Sequence, residues 1–575
     1  MRPQQLALRS VNQYRTRDVL AYLGLRYYFA NHCATRDRWA HDVASHLLMT
    51  RTRSGYFKSL HFKDIRESGL VDHREVFIPG PNESFAETAL LAECSKHHVF
   101  HPLPCVFSYR LAKENSVSGV YMPYFSGLQE RHQKIADACK ERSGSVVLYT
   151  DIKRFYPNIP AAKAMTAWEQ ACVQAQLDSH HRDLGVKLLS DYFETAKTSK
   201  HCKGLLTGPM FSHLIANLVL RGVDEKMSAL FPGCYFRYVD DIVLVGDPSE
   251  IFKGRQQLSA YLEEIELALH DRGQGKDFEV PAEEWMKGAH DFDGTVSNGW
   301  KLFSRDLKQF LISQPTERHL LARMLSAEGF RIPLPDYLVA TREASYLERI
   351  QDLSFRYPWF RGRLRRTTSM RLLLFAKLLR SHYFEQVLRL LDSGRGTEGY
   401  IRKRTIPKIR YFSGRLLFLG STESLAQLAP RLREYPELTV LAEIMEAVAR
   451  RDVSRLLPLG GNLVQSAAQA LRQSDEAVEC SLPSWDAASR QGLAILRANG
   501  IEADGPVDDE LNRFALWREN GGDLMESEDP FIKELACLHG TTSLPRHSTI
   551  FETAFDRSEE LAFDVINQLR DSDYA

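Results

Sequence analysis

The stretch RYVDDIVLVG, from Arg237 to Gly246, sets two adjacent carboxylates, Asp240 and Asp241, inside an otherwise apolar and β-branched run. Strands are depleted in Asp, and neighbouring buried anions repel. CYFRYVDDIVLVGD therefore reads as a strand, a tight turn and a second strand, with the acids at the tip. A hard divalent cation makes such a pair tolerable, because Mg2+ takes oxygen ligands, commonly one or two carboxylates together with substrate phosphates. A site for two ions about 3.5–4 Å apart calls for a further carboxylate. Asp151 supplies it at the end of SVVLYTDI (Ser145 to Ile152), a short β-branched run of buried-strand character. Each piece alone is compatible with a turn Asp and a chance acid pair. The frame strand-YVDD-strand with a strand-Asp upstream favours a metal site.

Further runs organise the chain around this core. HREVFIPGPNESFAETALLAEC reads as a strand, a Pro-Gly-Pro turn and a helix. A helical stretch follows Pro160, and another follows the Gly-rich turn of GLLTGPMFSHLIANLVLRGVDEKM. QQLSAYLEEIELALHDRG carries Leu258, Leu262, Ile265 and Leu269 on one helical stripe. Before residue 140, RDVLAYLGLRYYFANH and DRWAHDVASHLLMTR have helical spacing. After about residue 310, strand-like runs nearly vanish. Helical stretches such as MRLLLFAKLLRSHYFEQVLRLLDSG and NLVQSAAQALRQSD alternate with short breaks, the texture of stacked helix pairs; one irregular bundle fits the same pattern.

The 575 residues suffice for two to four domains, and 44% hydrophobic with 26% charged residues is ordinary globular composition. No apolar run approaches the length of a membrane helix. The first twenty residues lack the apolar core of a secretory signal. The nine cysteines are scattered without CxxC spacing, which points away from zinc and disulfide frameworks and towards a cytoplasmic setting. Net charge is zero, yet Arg361 to Arg415 holds 15 Lys+Arg against three Asp+Glu, and Gly521 to Ala575 holds four against 12. The basic block suits an anionic partner or a solvated face paired with the acidic tail.

YTDIKRFYPNI (Tyr149 to Ile159), GLLTGPMFSHLIANLVL (Gly204 to Leu220) and YVDD (Tyr238 to Asp241) resemble, in order and separation, the central motifs of reverse transcriptases. The resemblance covers roughly residues 15 to 310. It implies an α/β right-hand polymerase with fingers and palm over residues 1–310, followed by an all-α, HEAT-like helical-repeat domain over 311–575 in place of a thumb. It further implies that Asp151, Asp240 and Asp241 are the catalytic metal ligands for two Mg2+ ions, or Mn2+, with the Ile152 carbonyl as an additional ligand. Tyr156 matches the steric gate that selects dNTPs over rNTPs, with Phe155 beside it as a core aromatic. Gly208, Ser212 and Asn217 match the second motif. Arg74 resembles the fingers arginine on the triphosphate, with Lys63, Arg110 and Lys276 as weaker matches; for each of these cations a solvated surface position is the plain alternative.

Leu206-Thr207 stand where templated members carry Pro-Gln, and no thumb, RNase H or integrase segment follows Lys276. With LAYLGLRYYFANH and the SYR motif, this resembles the abortive-infection and related defence-associated bacterial reverse transcriptases. The resemblance to that group implies untemplated, protein-primed DNA synthesis against phage, a single-stranded DNA product covalently attached to the chain, and a homo-oligomer. An RNA-templated enzyme of retron or intron type, holding a non-coding RNA, is the alternative, and a non-catalytic RNA-binding scaffold a more distant one. Arg402, Lys403 and Arg404 are the candidate nucleic-acid contacts. Phe375, Tyr383, Tyr400, Tyr411 and Phe412 stand either as base-stacking partners or as helix core. No tyrosine among Tyr14, Tyr27, Tyr28, Tyr56 and Tyr574 stands out as the priming residue.

Overall fold

The computed structural model describes residues 56–506, apart from 335–366 and shorter stretches of which 288–297 and 113–118 are the longest. The expected N-terminal helices, Tyr14, Tyr27, Tyr28, Tyr574, the acidic tail and the start of the basic block lie outside the described residues. The protein is mixed α/β and mostly helical.

A two-stranded antiparallel hairpin comes first, β1 (Tyr56–Ile65) and β2 (Val71–Pro79), in register from Tyr56↔Pro79 to Ile65↔Val71. The strand β1 was not expected from sequence; the reading there stopped at β2. A second sheet is built from β3 (Val146–Asp151), β4 (Tyr235–Tyr238), β5 (Asp241–Gly246) and β6 (Phe278–Pro281). Its order is β4-β5-β3-β6, antiparallel throughout. The inner strands bury Val147, Leu148, Ile242, Val243, Leu244 and Val245 almost completely. Burying each such side chain contributes roughly 1.5–3 kcal/mol, which explains a run with no polar alternation.

Helices α1 (Pro81–Cys94), α2 (Tyr124–Glu141), α3 (Ala161–Ala175), α4 (Ser179–Ala196), α5 (Met210–Leu230), α6 (Pro248–Glu263) and the short α7 (Ala282–Met286) share one core with these strands. The helix α6 differs from expectation. It starts early, where Glu250 accepts from the Asp247 N–H at 3.2 Å, and stops at Glu263. Glu266 then takes a left-handed conformation (φ 65°). The chain continues extended, so that Leu269 bridges to Ile152 instead of completing the helical stripe.

A second core begins at Trp300 and contains α8 (Asn298–Ser313), α9 (Arg318–Ala327), α10 (Ser369–Gly394), α11 (Gly399–Leu419), α12 (Thr422–Arg433), α13 (Thr439–Arg450), α14 (Gly461–Leu471) and α15 (Ala487–Ala498). The change of core falls between Trp285 and Trp300, somewhat before residue 310. Consecutive helices pair: α10 with α11, α12 with α13, α14 with α15. Thr368 and Ser421 accept from the N–H groups of Arg371 and Ser424 and so cap α10 and α12. Among the described residues no helix is long and apolar enough to cross a membrane.

Buried Glu87 ties the first core together. It accepts from Tyr192 Oη (2.7 Å), Tyr56 Oη (3.1 Å) and the Phe211 N–H (3.2 Å), joining α1, α4, α5 and β1. Burial pushes its carboxyl up to about 7 against the pull of those hydrogen bonds. The native state therefore holds this proton more tightly than the unfolded chain, so the contribution of Glu87 to stability is full at low pH and is lost as pH rises from about 4.5 to 7. Glu87→Gln should flatten this slope by an amount on the order of 1–3 kcal/mol between pH 5 and pH 8. Urea unfolding at the two pH values measures it, and equal slopes in parent and variant would exclude Glu87 as the source.

Candidate metal centre

The sheet register brings the acids together. Asp151 ends β3 directly opposite Asp241, the first residue of β5. Asp240 lies in the turn between β4 and β5, and its carbonyl accepts from the Ile152 N–H at 3.2 Å. The turn demands an unusual backbone. Val239, a β-branched residue, sits at φ 59°, a conformation that costs such a side chain about 1–3 kcal/mol unless its surroundings enforce it. Here Ser108 Oγ accepts from the Val239 N–H (2.7 Å), and Arg237 Nη1 donates to the Val239 carbonyl (2.8 Å).

Arg237 is fully buried. Its Nε and Nη2 fork onto both oxygens of Asp224 on α5, at 2.7 and 2.6 Å, and Nη2 also reaches Asn217 Oδ1 at 3.1 Å. Tyr235 Oη donates to the same Asp224 at 2.7 Å. Burial alone would lower the guanidinium's pKa, but Asp224 outweighs it and holds it above its usual value. Sequence reading passed over Arg237 and Asp224. The available signal was a lone arginine inside an apolar strand, a position a charge occupies only with a partner.

One carboxylate oxygen from each of Asp151, Asp240 and Asp241 lies within 4.8 Å of the others, and all three residues are buried. Asp151 Oδ1, Asp240 Oδ1 and Asp241 Oδ2 have no hydrogen-bond donor. Buried acceptors are ordinarily satisfied, and three clustered carboxylates that each keep an unpartnered oxygen suit an oxygen-seeking divalent cation. The second oxygens of Asp151 and Asp241 are engaged. Asp151 Oδ2 accepts from Lys276 Nζ at 2.6 Å, and Tyr149 Oη donates to Asp241 Oδ1. Burial, then the charges of Asp151 and Asp241, pushes the Asp240 carboxyl far above its usual range. Burial also raises Asp241 to about 6, although Arg131 pulls the other way.

The other expected site residues divide. Ile152 adjoins the acids, its side chain buried. Burial holds the Arg74 guanidinium, on β2, below its usual pKa, while the charges of Asp240 and Asp151 pull the other way. Gly208 (φ 124°) packs against β2, where a Cβ would sit 2.3 Å from the Phe77 carbonyl oxygen. The Thr207 carbonyl accepts from the Phe77 N–H at 2.7 Å, so Leu206-Thr207-Gly208 seats the hairpin on the first core. Tyr156 is buried beside Phe155, its hydroxyl hydrogen-bonded to His213 Nδ1. Tyr109 stacks on that imidazole at 3.7 Å between ring centroids. Ser212 is buried, and Asn217 serves Arg237 rather than a surface.

Lys63 is not brought to the acids; it is exposed and 4.0 Å from Asp72. Arg110 pairs with Glu130 at 2.6 Å. Among the described residues of the basic block, Lys403 approaches the centre. Its ammonium lies 3.8 Å from the Phe278 ring centroid and 5.1 Å from that of Tyr149. Burial of the ammonium pushes Lys403 down to about 8, while Asp241 favours its charge. Arg402 forks onto Glu437 (2.7 and 2.8 Å), and Arg404 Nη2 donates to the Lys287 carbonyl (2.6 Å). Tyr383 and Phe412 are buried in the second core, Tyr411 and Phe375 pack against it, and Tyr400 stacks on Trp285.

Two measurements check the centre. Mn2+ should raise the unfolding temperature of the full chain at pH 8 and do so far less at pH 5, where Asp240 and Asp241 hold protons; Asp240→Asn should remove the effect, and an undiminished shift in that variant would place the cation elsewhere. Arg237→Met leaves Asp224 buried and uncompensated and should cost about 3–5 kcal/mol in chemical unfolding. No protein-family model matches the chain, and no curated protein matches it.

Proposed function

We propose that the chain is a DNA polymerase of reverse-transcriptase type that adds dNTPs to a hydroxyl end at Asp151, Asp240 and Asp241. The observation that carries this reading is the convergence of three buried carboxylates, each with an orphaned oxygen, where two antiparallel strands meet beside the cations Arg74 and Lys276. The three carboxylates, with the Ile152 carbonyl, are the residues that would hold Mg2+ or Mn2+. When bound, such ions lower the pKa of an attacking hydroxyl and neutralise charge on a transferred phosphoryl group.

The chain's own residues do the rest. Arg74 is a guanidinium suited to fork onto triphosphate oxygens. Lys276 holds an ammonium at Asp151, where it offsets negative charge on the departing diphosphate. The Tyr156 ring, tethered through His213, is a rigid wall against a ribose 2′-hydroxyl. On this reading the two-stranded hairpin with its helices forms fingers, the four-stranded sheet is the palm, and the paired helices are HEAT-like repeats in the place of a thumb.

The finer part of the proposal rests on the sequence resemblance: untemplated, protein-primed synthesis in the cytoplasm for anti-phage defence, by a homo-oligomer. Tyr56 is a poor primer under this reading, because its hydroxyl is bound to buried Glu87.

Purified protein should incorporate dNTPs only with Mg2+ or Mn2+. Asp151→Asn and Asp240→Asn should lower incorporation by more than roughly 100-fold with circular dichroism unchanged; variants that make as much DNA as the parent would refute the assignment. Tyr156→Ala should admit rNTPs. Sequencing the nucleic acid attached after separate nuclease and protease treatment decides the finer part: DNA linked to protein and without a genomic match is expected, whereas a defined complementary RNA would replace it with templated copying.

A further inference from the structure

The edge of the β1–β2 hairpin is not left to water. Gln491, on α15, accepts from the Leu60 N–H at 3.0 Å and donates Nε2 to the Lys58 carbonyl at 3.0 Å. Its amide thus pairs with β1 as a neighbouring strand would. Asn462, on α14 and 400 residues away in sequence, accepts from the Phe62 N–H at 3.0 Å. His73 Nε2 donates to the Pro458 carbonyl at 3.0 Å. Gly460 (φ 119°) permits the approach, since a Cβ there would lie 2.7 Å from the Leu60 carbonyl oxygen. An exposed sheet edge is usually blunted by charges, proline or a bulge; here two side-chain amides take its backbone groups in turn.

This hairpin carries Arg74, whose cross-strand partner is His61, between the clamped residues Leu60 and Phe62. Elsewhere the second core meets the four-stranded sheet and the helix that follows it: the Lys403 ammonium of α11 lies 3.8 Å from the Phe278 ring of β6, and Tyr400 of α11 stacks on Trp285 of α7 at 4.9 Å. The paired helices therefore span from the sheet that bears the acids to the hairpin that bears the arginine.

We propose that Asn462 and Gln491 are positioning residues for nucleotide binding, holding the β1–β2 hairpin so that Arg74 meets the triphosphate of a nucleotide at the acids. The proposal rests on the polymerase reading of that site. Neither residue touches substrate. A rigid frame matters because a displacement of about 1 Å in a positioned group costs up to roughly 100-fold.

The test uses the full chain and Mn2+-dependent binding of a fluorescent dNTP, with incorporation kinetics beside it. Asn462→Leu combined with Gln491→Leu should weaken nucleotide binding and raise KM by roughly 10-fold or more, with kcat at saturating dNTP within about twofold and the Mn2+-induced thermal shift intact. Asn462→Asp keeps the acceptor for Phe62 and should behave as the parent. Gly460→Ala, which pushes the hairpin outward, should reproduce the weakened binding if the double variant does not fold. Parent-like KM in a folded double variant or in Gly460→Ala would overturn the positioning role while leaving the polymerase reading in place. A parent that binds no dNTP with Mn2+ would overturn both.

Discussion

The buried pair of Arg237 and Asp224 is the constraint on which the centre depends. A turn with Val239 at positive φ and two acids at its tip opposes its own formation, through backbone strain and through repulsion. The Arg237 guanidinium offsets the strain, while Arg131 and Lys276 act against the repulsion. It holds the Val239 carbonyl at 2.8 Å and anchors the strand to α5 through Asp224 and Asn217. Ser108 completes the grip at the N–H of the same residue. Because an ion pair in the interior tolerates little displacement of either partner, the turn inherits the rigidity of α5. The carboxylates then cluster by register, and the cluster is one that could hold a metal ion.

From that anchor the cations arrive by three independent routes. Lys276 comes from the segment leading into β6, Arg74 from the hairpin β2, and Lys403 from α11 of the second core. Only the first belongs to an element paired in the acids' own sheet. The other two depend on how separate layers meet: Gly208 and Thr207 seat the hairpin, and Trp285 with Tyr400 seats α11. The Lys403 ammonium also caps the stacked pair of Tyr149 and Phe278, and Tyr149 donates to Asp241. The second core thus contributes to the electrostatics of the centre, while Arg402, the neighbour of Lys403, is engaged by Glu437.

How much of this was legible depended on the range of the interaction. Strands β3 and β5, their acids and the helix after Gly208 followed from local pattern, since a β-branched run ended by Asp leaves few alternatives. The α6 boundary was misjudged because its stripe continued past Glu263 in sequence while the Leu269 bridge to Ile152 took the chain elsewhere. The strand β1 was missed because Tyr56–Ile65 has no clean alternation: Tyr56 packs on the first core and Phe62 on the second. Lys63 was grouped with the triphosphate cations on its basic character, yet it lies near Asp72, beyond the bulge in β1.

By itself the sequence determined the three acids, the strands that carry them, the glycine turn ahead of α5, and the switch from mixed α/β to helical texture. These are properties of residue type and short spacing. Tertiary structure alone decided that Asp224 would neutralise Arg237, that Lys403 rather than Arg402 or Arg404 would face the centre, and that Asn462 and Gln491 would pair with a strand some 400 residues earlier. Charge complementarity and backbone hydrogen bonding at such separations leave no periodic trace, because they are set by where whole elements come to rest.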